Sequence, residues 1–447
     1  MLKLKVIIFF FISNVCFPQS LYDTLSKVYD SSPILKGNRL KLESINEELA
    51  KAISKNRPQI NMYGSIGTDK TTTINTSNIE STKNNNPKSV TLEVKQNLYD
   101  FGRTKHLINI ADASIFAQRA DLRYQEQEVL LEASKIYLTL LASLEINKLA
   151  KNNLVLLQKH FQATNDKFKL GEATSTDLSL AKARFLRARS DEIKSRGEVE
   201  KERSKYFSYV GTEAPSDLKF PEIKIEVPKK LKDITKETLR GNPKIIAGGF
   251  RKKLSFIKVS SVAAELLPSL DLSLSAQNAW APNTFFDEYE NYKMELNLKF
   301  PLYSGGYNYS NIRQKKKEAL QNSKMLDYNI KNTLKEVEIS WIEYKSLEFQ
   351  IISIEAAINA NEMAVEGVKK ENEVGSRTLL DVLDAEQDLL EEKVELIKAK
   401  RDKFQNIFTL IANMGKLSAT EMELDVNIYD YEKNYTAVKK VWLGFEE

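Results

Sequence analysis

The chain has 447 residues, with 66 Lys and Arg against 61 Asp and Glu, the two signs interspersed along it. So even a balance describes solvated faces and excludes the basic footprint of a nucleic-acid binder, while the length alone allows two or three ordinary domains. Sixteen glycines are few for an α/β enzyme, whose phosphate and turn loops consume them, so long helices are the expected use of this chain.

The first residues are MLKLKVIIFFFISNVCFPQS, in which Lys3 and Lys5 precede an apolar run from Val6 to Val15 and a polar exit at Gln19 and Ser20. This pattern predicts a signal peptide over 1–19, too short for a comfortable membrane span. The single cysteine, Cys16, lies inside it. A lipoprotein site is the alternative there, against which Val15 is a poor preceding residue. The mature chain then has no thiol for disulfides. No later stretch is apolar over the length of a spanning helix, so an exported chain of this kind is soluble outside the cytoplasm or crosses a membrane as a β-barrel.

After a helical stretch bracketed by Pro33 and Pro58 come QINMYGSIGT and SVTLEVKQNLY. In the second, Val90, Leu92, Val94 and Leu98 alternate with Thr91, Glu93, Lys95 and Asn97, the period of a strand with one apolar and one wet face. Between them, DKTTTINTSNIESTKNNNPK from Asp69 to Lys88 has the composition of a mobile surface loop. From about Lys105 to Lys169 there is no proline and almost no glycine, which predicts one long helix. It turns at Gly171 and returns toward Gly211. A Pro-bearing stretch, TEAPSDLKFPEIKIEVPKK, follows as a connector.

The same plan then recurs. Pro33 and Pro58 are matched by Pro243 and Pro268, YDFG at Tyr99 by YSGG at Tyr303, and LGEATSTDL at Leu170 by VGSRTLLDV at Val374. In the second copy Leu270, Leu272, Leu274 and Ala276 alternate with Asp271, Ser273, Ser275 and Gln277. Tyr292, Met294, Leu296, Leu298 and Phe300 alternate with Lys293, Glu295, Asn297 and Lys299. Apolar residues from Ile330 to Ile358, and again from Leu390 to Ile411 with Arg401 in the series, recur at steps of three and four, as coiled-coil seams do. These repeats predict a first unit over 20–211 with a β-hairpin at 58–101 and a helical hairpin at 102–211. A linker at 212–235 leads to a second unit over 236–418 with hairpins at 268–303 and 304–418, and a tail at 419–447 ends the chain.

A soluble sheet would explain the alternation by itself. Two features favour lipid: each strand has the length that spans a tilted path through a bilayer, and aromatics gather near the strand ends at Tyr63, Tyr99, Phe101, Trp280, Phe285, Phe286, Tyr292 and Tyr303. Four strands are too few to close a membrane barrel, so this reading requires self-association.

With QNLYDFG, FPLYSGG, KLGEATSTDL and EVGSRTLLDVLDAEQDLL in register, the chain resembles the TolC-type outer-membrane efflux and secretion channels over essentially its whole mature length. The resemblance implies a mainly α fold with a membrane β part: a homotrimer with a 12-stranded β-barrel in outer-membrane lipid, continued by an α-barrel through the periplasm of a Gram-negative bacterium. It also implies a periplasmic adaptor protein and an inner-membrane transporter as partners, and neither cofactor nor metal. Carried onto this chain, Asp381 and Asp384 match the aspartates that ring the family's periplasmic aperture. Arg377 and Asp177 match its entrance lock, and Gly171, Thr174, Gly375, Ser376 and Thr378 lie in the helix-tip turns that meet the adaptor. Thr378 with Asp381, and Thr174 with Asp177, also fit helix-start boxes on purely structural grounds. Asn372 stands where the best-known members have a lock tyrosine. The tail LDVNIYDYEKNYTAVKKVWLGFEE is similar to the branch associated with type I secretion.

As an enzyme the chain is poorly equipped. His106 and His160 have no metal-ligand spacing and are expected on the surface, and Gly415-Lys416 lies in no phosphate loop. A soluble periplasmic coiled-coil adaptor is the alternative function, but it has no use for two membrane-length strand hairpins in equivalent positions.

Overall fold

A computed structural model describes residues 20–215, 217–283 and 287–444. The expected signal peptide with Cys16, and the aromatics Phe285 and Phe286, lie outside the described residues. In chain order the elements are α1 (Leu21–Ser31), α2 (Pro33–Ile53), β1 (Gln59–Ile66), β2 (Asp69–Ile74), β3 (Glu80–Asn85), β4 (Lys88–Tyr99), α3 (Arg103–Lys169) and α4 (Ser175–Val210). There follow α5 (Leu231–Gly241), α6 (Pro243–Ala264), β5 (Ser269–Trp280), β6 (Glu288–Lys299), α7 (Tyr307–Glu373), α8 (Leu379–Asn413) and α9 (Tyr431–Val438). The paired helices α3 and α7 have 67 residues each, and at 1.5 Å rise per residue such a helix is about 100 Å long. No described helix is apolar enough over its length to cross a membrane.

The chain divides into two compact units, and neither coincides with a sequence repeat. One comprises residues up to Lys36 with Arg123–Asn242 and Lys331–Tyr429; the other comprises Gly37–Leu122, Pro243–Ile330 and Asp430 onward. Each is assembled from both repeats.

In the first unit the core gathers α1 (Leu21, Leu25, Val28), α3 (Leu130, Tyr137, Leu141), α4 (Tyr206, Val210) and α8 (Phe408, Ile411). The buried hydroxyls of Thr24 and Tyr206 lie 2.9 Å apart, which satisfies both inside an apolar setting. The stretch expected to be a connector packs closely: Leu218 is buried, Phe220 stacks on Phe404 at 5.2 Å, and the Tyr137 hydroxyl donates to the Lys219 carbonyl. Its last residues from Leu231 already belong to α5. Farther along α7, Ile351, Ile354 and Ile358 are buried against Ala399 of α8, with Leu347, Leu389 and Leu396 flanking, so this part of the predicted seam joins the hairpin's own two arms.

The second unit holds the sheet, in the order β1-β4-β5-β6 with every neighbour antiparallel. Its register places the alternating residues on two faces across all four strands. Met62, Leu92, Ala276 and Tyr292 form one row, and Ile60, Val94, Leu274 and Met294 the next, on the apolar face. Opposite them run Asn61, Glu93, Ser275 and Lys293, then Gln59, Lys95, Ser273 and Glu295. The wet face carries Glu93–Lys95 and Lys293–Glu295 ion pairs at 2.9 and 2.7 Å, each within one strand. Tyr63 departs from expectation. Strand parity puts it in the wet row with Thr91 and Gln277, where its hydroxyl donates to Glu93 at 3.4 Å.

The stretch expected to be a mobile loop is instead a second hairpin, β2 with β3. Its threonines have β-branched side chains that suit a strand, and the Thr72 and Thr82 hydroxyls meet across it at 3.0 Å. The Asn75 side chain closes the turn by accepting from the backbone amides of Ser77 and Ile79.

Candidate functional site

The predicted site residues all lie in the first unit, at the two turns that join α3 to α4 and α7 to α8. The turns are built alike. Gly171 and Gly375 take φ of +82° and +80°, a conformation that L side chains adopt only under strain. Their amides donate to the carbonyls of Phe168 and Asn372, while those of Glu172 and Ser376 reach Lys167 and Glu371, satisfying the last carbonyls of each long helix.

Each returning helix then starts with a reciprocal box. The Thr378 hydroxyl accepts from the Asp381 amide at 3.3 Å while the Asp381 carboxylate accepts from the Thr378 amide at 2.9 Å; Thr174 and Asp177 do the same at 3.1 and 3.0 Å. The threonine hydroxyl, then the threonine amide, hold both carboxyls below the usual carboxylate range. The structural half of the expectation for these residues is therefore present.

The two residues carried over as the entrance lock, Arg377 and Asp177, each have a partner on their own turn. Arg377 Nε donates to Glu371 at 2.9 Å, and the Asp177 carboxylate is engaged by Thr174. Glu371 lies across the same tight turn, so it reaches Arg377 locally. Both partners of that pair are about half exposed, and such a pair adds little stability. Asn372 in the tyrosine position ties its own turn together by donating to the Arg377 carbonyl at 2.8 Å, and the Ser376 hydroxyl donates to Glu371 O at 2.9 Å.

Three contacts had no signal in the linear sequence, because each joins residues on different helices. Leu383 of α8 is buried with Leu157 of α3 and Ala188 of α4, so α8 seats directly on the first helical hairpin. Flanking that contact, Asp384 forms an ion pair with Arg184 of α4. Glu386, almost fully buried, lies 3.2 Å from His160 of α3 and 2.6 Å from Lys369 of α7. Burial pushes the Glu386 carboxyl up, but His160 and Lys369 outweigh it and hold the group below its ordinary value. His160, expected on the surface, is thus a part-buried partner of an acid. Asp384, itself exposed, is held toward the first hairpin by Arg184.

Around these polar groups, Leu170 and Val374 are 75% and 80% exposed at the turns themselves. Among the described residues no group of acidic, His or Cys side chains is placed to hold a metal ion.

This architecture has close counterparts. Residues 24–211 and 234–416 match the family described as outer membrane efflux protein. The chain is 26% identical over 427 residues to the outer membrane efflux protein BepC of Brucella suis, covering 95% of this chain and 92% of that one. It is also 26% identical over 343 residues to the alkaline protease secretion protein AprF of Pseudomonas aeruginosa, covering 75% and 71%. The fold is shared with the Campylobacter jejuni CmeC outer membrane channel, with a TM-score of 0.79 at 16% identity over 94% of this chain and 89% of that one.

The chain belongs to the outer membrane efflux protein family, the TolC-type channels. It is a non-enzymatic transport protein of the outer membrane, a channel for tripartite efflux or type I secretion and not a soluble adaptor. Membership implies a trimeric channel working with adaptor and inner-membrane pump proteins.

Proposed function

We propose that three copies of this chain join their four-stranded sheets edge to edge into one lipid-embedded barrel, and that the α3–α4 and α7–α8 turns form the periplasmic mouth of the conduit. The observation that carries this reading is the sheet itself: an apolar face continuous across β1, β4, β5 and β6, with β1 and β6 left as open edges. Exposed side chains such as Met294 at 72% and Leu298 at 71% belong against lipid, and unpaired edges belong against sister strands. The repeats at 20–211 and 236–418 each supply one strand pair and one helical hairpin to this plan.

At the mouth, copies of Asp381 and Asp384 line the aperture and favour cations. We infer that the resting mouth is held by ties from α8 to the first hairpin, the Arg184–Asp384 pair and the Glu386 cluster. Arg377 and Asp177 join the lock only if opening or a neighbouring copy frees them from Glu371 and Thr174. The exposed Leu170 and Val374 beside Gly171, Thr174, Gly375, Ser376 and Thr378 suit docking of the adaptor's own helical tips. The likeness to AprF and the form of the tail favour protein secretion as the service performed.

Crosslinking from Ser376, in cells, tests the docking. Capture of a periplasmic adaptor encoded for type I secretion supports the reading, and capture confined to copies of this chain removes it.

A further inference from the structure

We propose that Lys439–Leu443 is an interfacial anchor that sets Trp442 and Leu443 into the phospholipid leaflet at the foot of the sheet. Val441, Trp442 and Leu443 are 51%, 66% and 95% exposed, an apolar run in water directly after Lys439 and Lys440. Such a run carried on a loose tail would mean little. Here the chain before it is held firmly within the second unit. Tyr435 of α9 donates to Asp112 at 2.9 Å, Asn46 donates to Asn434 at 2.8 Å, and Arg119 pairs with Glu432 while its guanidinium lies over the Tyr435 ring.

Past α9 the chain is delivered to a particular level. Arg57 donates to the Val441 carbonyl at 2.9 Å and sets its guanidinium 4.4 Å from the Trp442 ring centre. Arg57 immediately precedes Pro58 and the first residue of β1, so Trp442 is pinned where the strands begin. At that same end the sheet exposes Tyr99 and Phe300, both at 57%. Trp442 therefore continues a row of aromatic side chains at the strand feet, the place that amphipathic rings occupy at a lipid interface. Arg57 against its ring and Lys440 two residues before it supply positive charge there, with Lys439 over the Tyr435 ring at 3.9 Å, and this complements anionic headgroups. An indole with Leu443 beyond it, rimmed by cations and held at the level where the apolar face starts, suits the boundary between headgroup and acyl chain.

The test uses the full-length trimer in nanodiscs containing phosphatidylglycerol, with Trp280→Phe and Trp341→Phe leaving Trp442 as the sole reporter. Lipid brominated near the headgroup should lower its emission about twofold. Lys439→Gln with Lys440→Gln should weaken that quenching. A second protein, with all three tryptophans replaced by Phe and Leu298→Trp added, reports whether the sheet itself meets lipid. Quenching at position 298 without quenching at 442 overturns the anchor and leaves the barrel standing, whether Trp442 is then open to aqueous acrylamide or covered by a second copy. Absence of quenching at both positions overturns the anchor together with the membrane placement of the sheet.

Discussion

Lys369 on α7 and Glu386 on α8 form a 2.6 Å ion pair, and His160 on α3 approaches the same buried carboxylate at 3.2 Å. One acid thus ties three helices, two from the second hairpin and one from the first. Replacing it by alanine leaves two cationic or polar groups without a counter-charge in a part-buried site, at a cost of about 1–3 kcal/mol. Glu386→Ala should lower the unfolding midpoint of the helical part and speed proteolysis near the turns, read by limited digestion. Glu386→Gln, which keeps the shape, should lie between the two. Because the Glu386 carboxyl is held below its ordinary 4.5, its contribution is fully present above that value and is lost as pH falls through the lowered value.

Arg184 and Asp384 form the second tie between α8 and the first hairpin. Arg184→Ala should raise single-channel conductance in planar bilayers by loosening the mouth. Asp381→Ala with Asp384→Ala should abolish cation preference, measured as reversal potential in a salt gradient. Unchanged selectivity in the double variant places the selective constriction elsewhere.

The turn boxes give a prediction about acid. Thr174→Ala and Thr378→Ala each remove a helix start and should destabilise their turn by about 1 kcal/mol, seen as faster amide exchange at residues 175–178 and 379–382; Thr→Ser should retain most of the protection. The Asp177 and Asp381 carboxyls lie below their ordinary 3.8, so the boxes stabilise at all pH values above that and fail only as pH falls through the lowered range. Exchange at the turns should therefore be flat in its pH-corrected rate from pH 7 to about 5.

The two faces of the sheet should respond oppositely to the same substitution. Leu272 pairs with Leu296 in an apolar row, whereas Ser275 sits between Glu93 and Lys293. Leu272→Arg sets a charge on the lipid side and should cost up to about 2–4 kcal/mol, suppressing outer-membrane trimer yield. Ser275→Arg should change stability by no more than about 0.5 kcal/mol. Equal loss in both variants would argue for a sheet buried on both sides.

What could be read from the residues divides by the range of the interaction. The turns were legible because Gly171, Thr174, Gly375 and Thr378 act on backbone a few positions away, and local chemistry leaves a local signature. The strands of the main sheet were legible because period-two alternation is a property of one segment. The β2–β3 hairpin was hidden: its strands, DKTTTI and ESTKNN, are threonine and other polar residues on both faces except for Ile74, so no apolar period marks them. The Glu386 cluster and the Arg184–Asp384 tie were hidden for a different reason. They depend on which face of α8 meets α3, and Leu383 decides that through packing with Leu157 and Ala188, partners more than 190 positions away. Arg377 pairs with the nearer acid, since Glu371 lies across the same turn and competes at lower conformational cost than a partner on another hairpin.

The central claim is that this chain supplies part of a barrel that closes only when sister sheets meet in lipid. Native mass spectrometry of the protein extracted in detergent from the outer-membrane fraction tests it most directly. The account predicts a trimer that survives detergent and dissociates on heating. A monomer recovered from the aqueous fraction, with β1 and β6 protected from amide exchange, would contradict it.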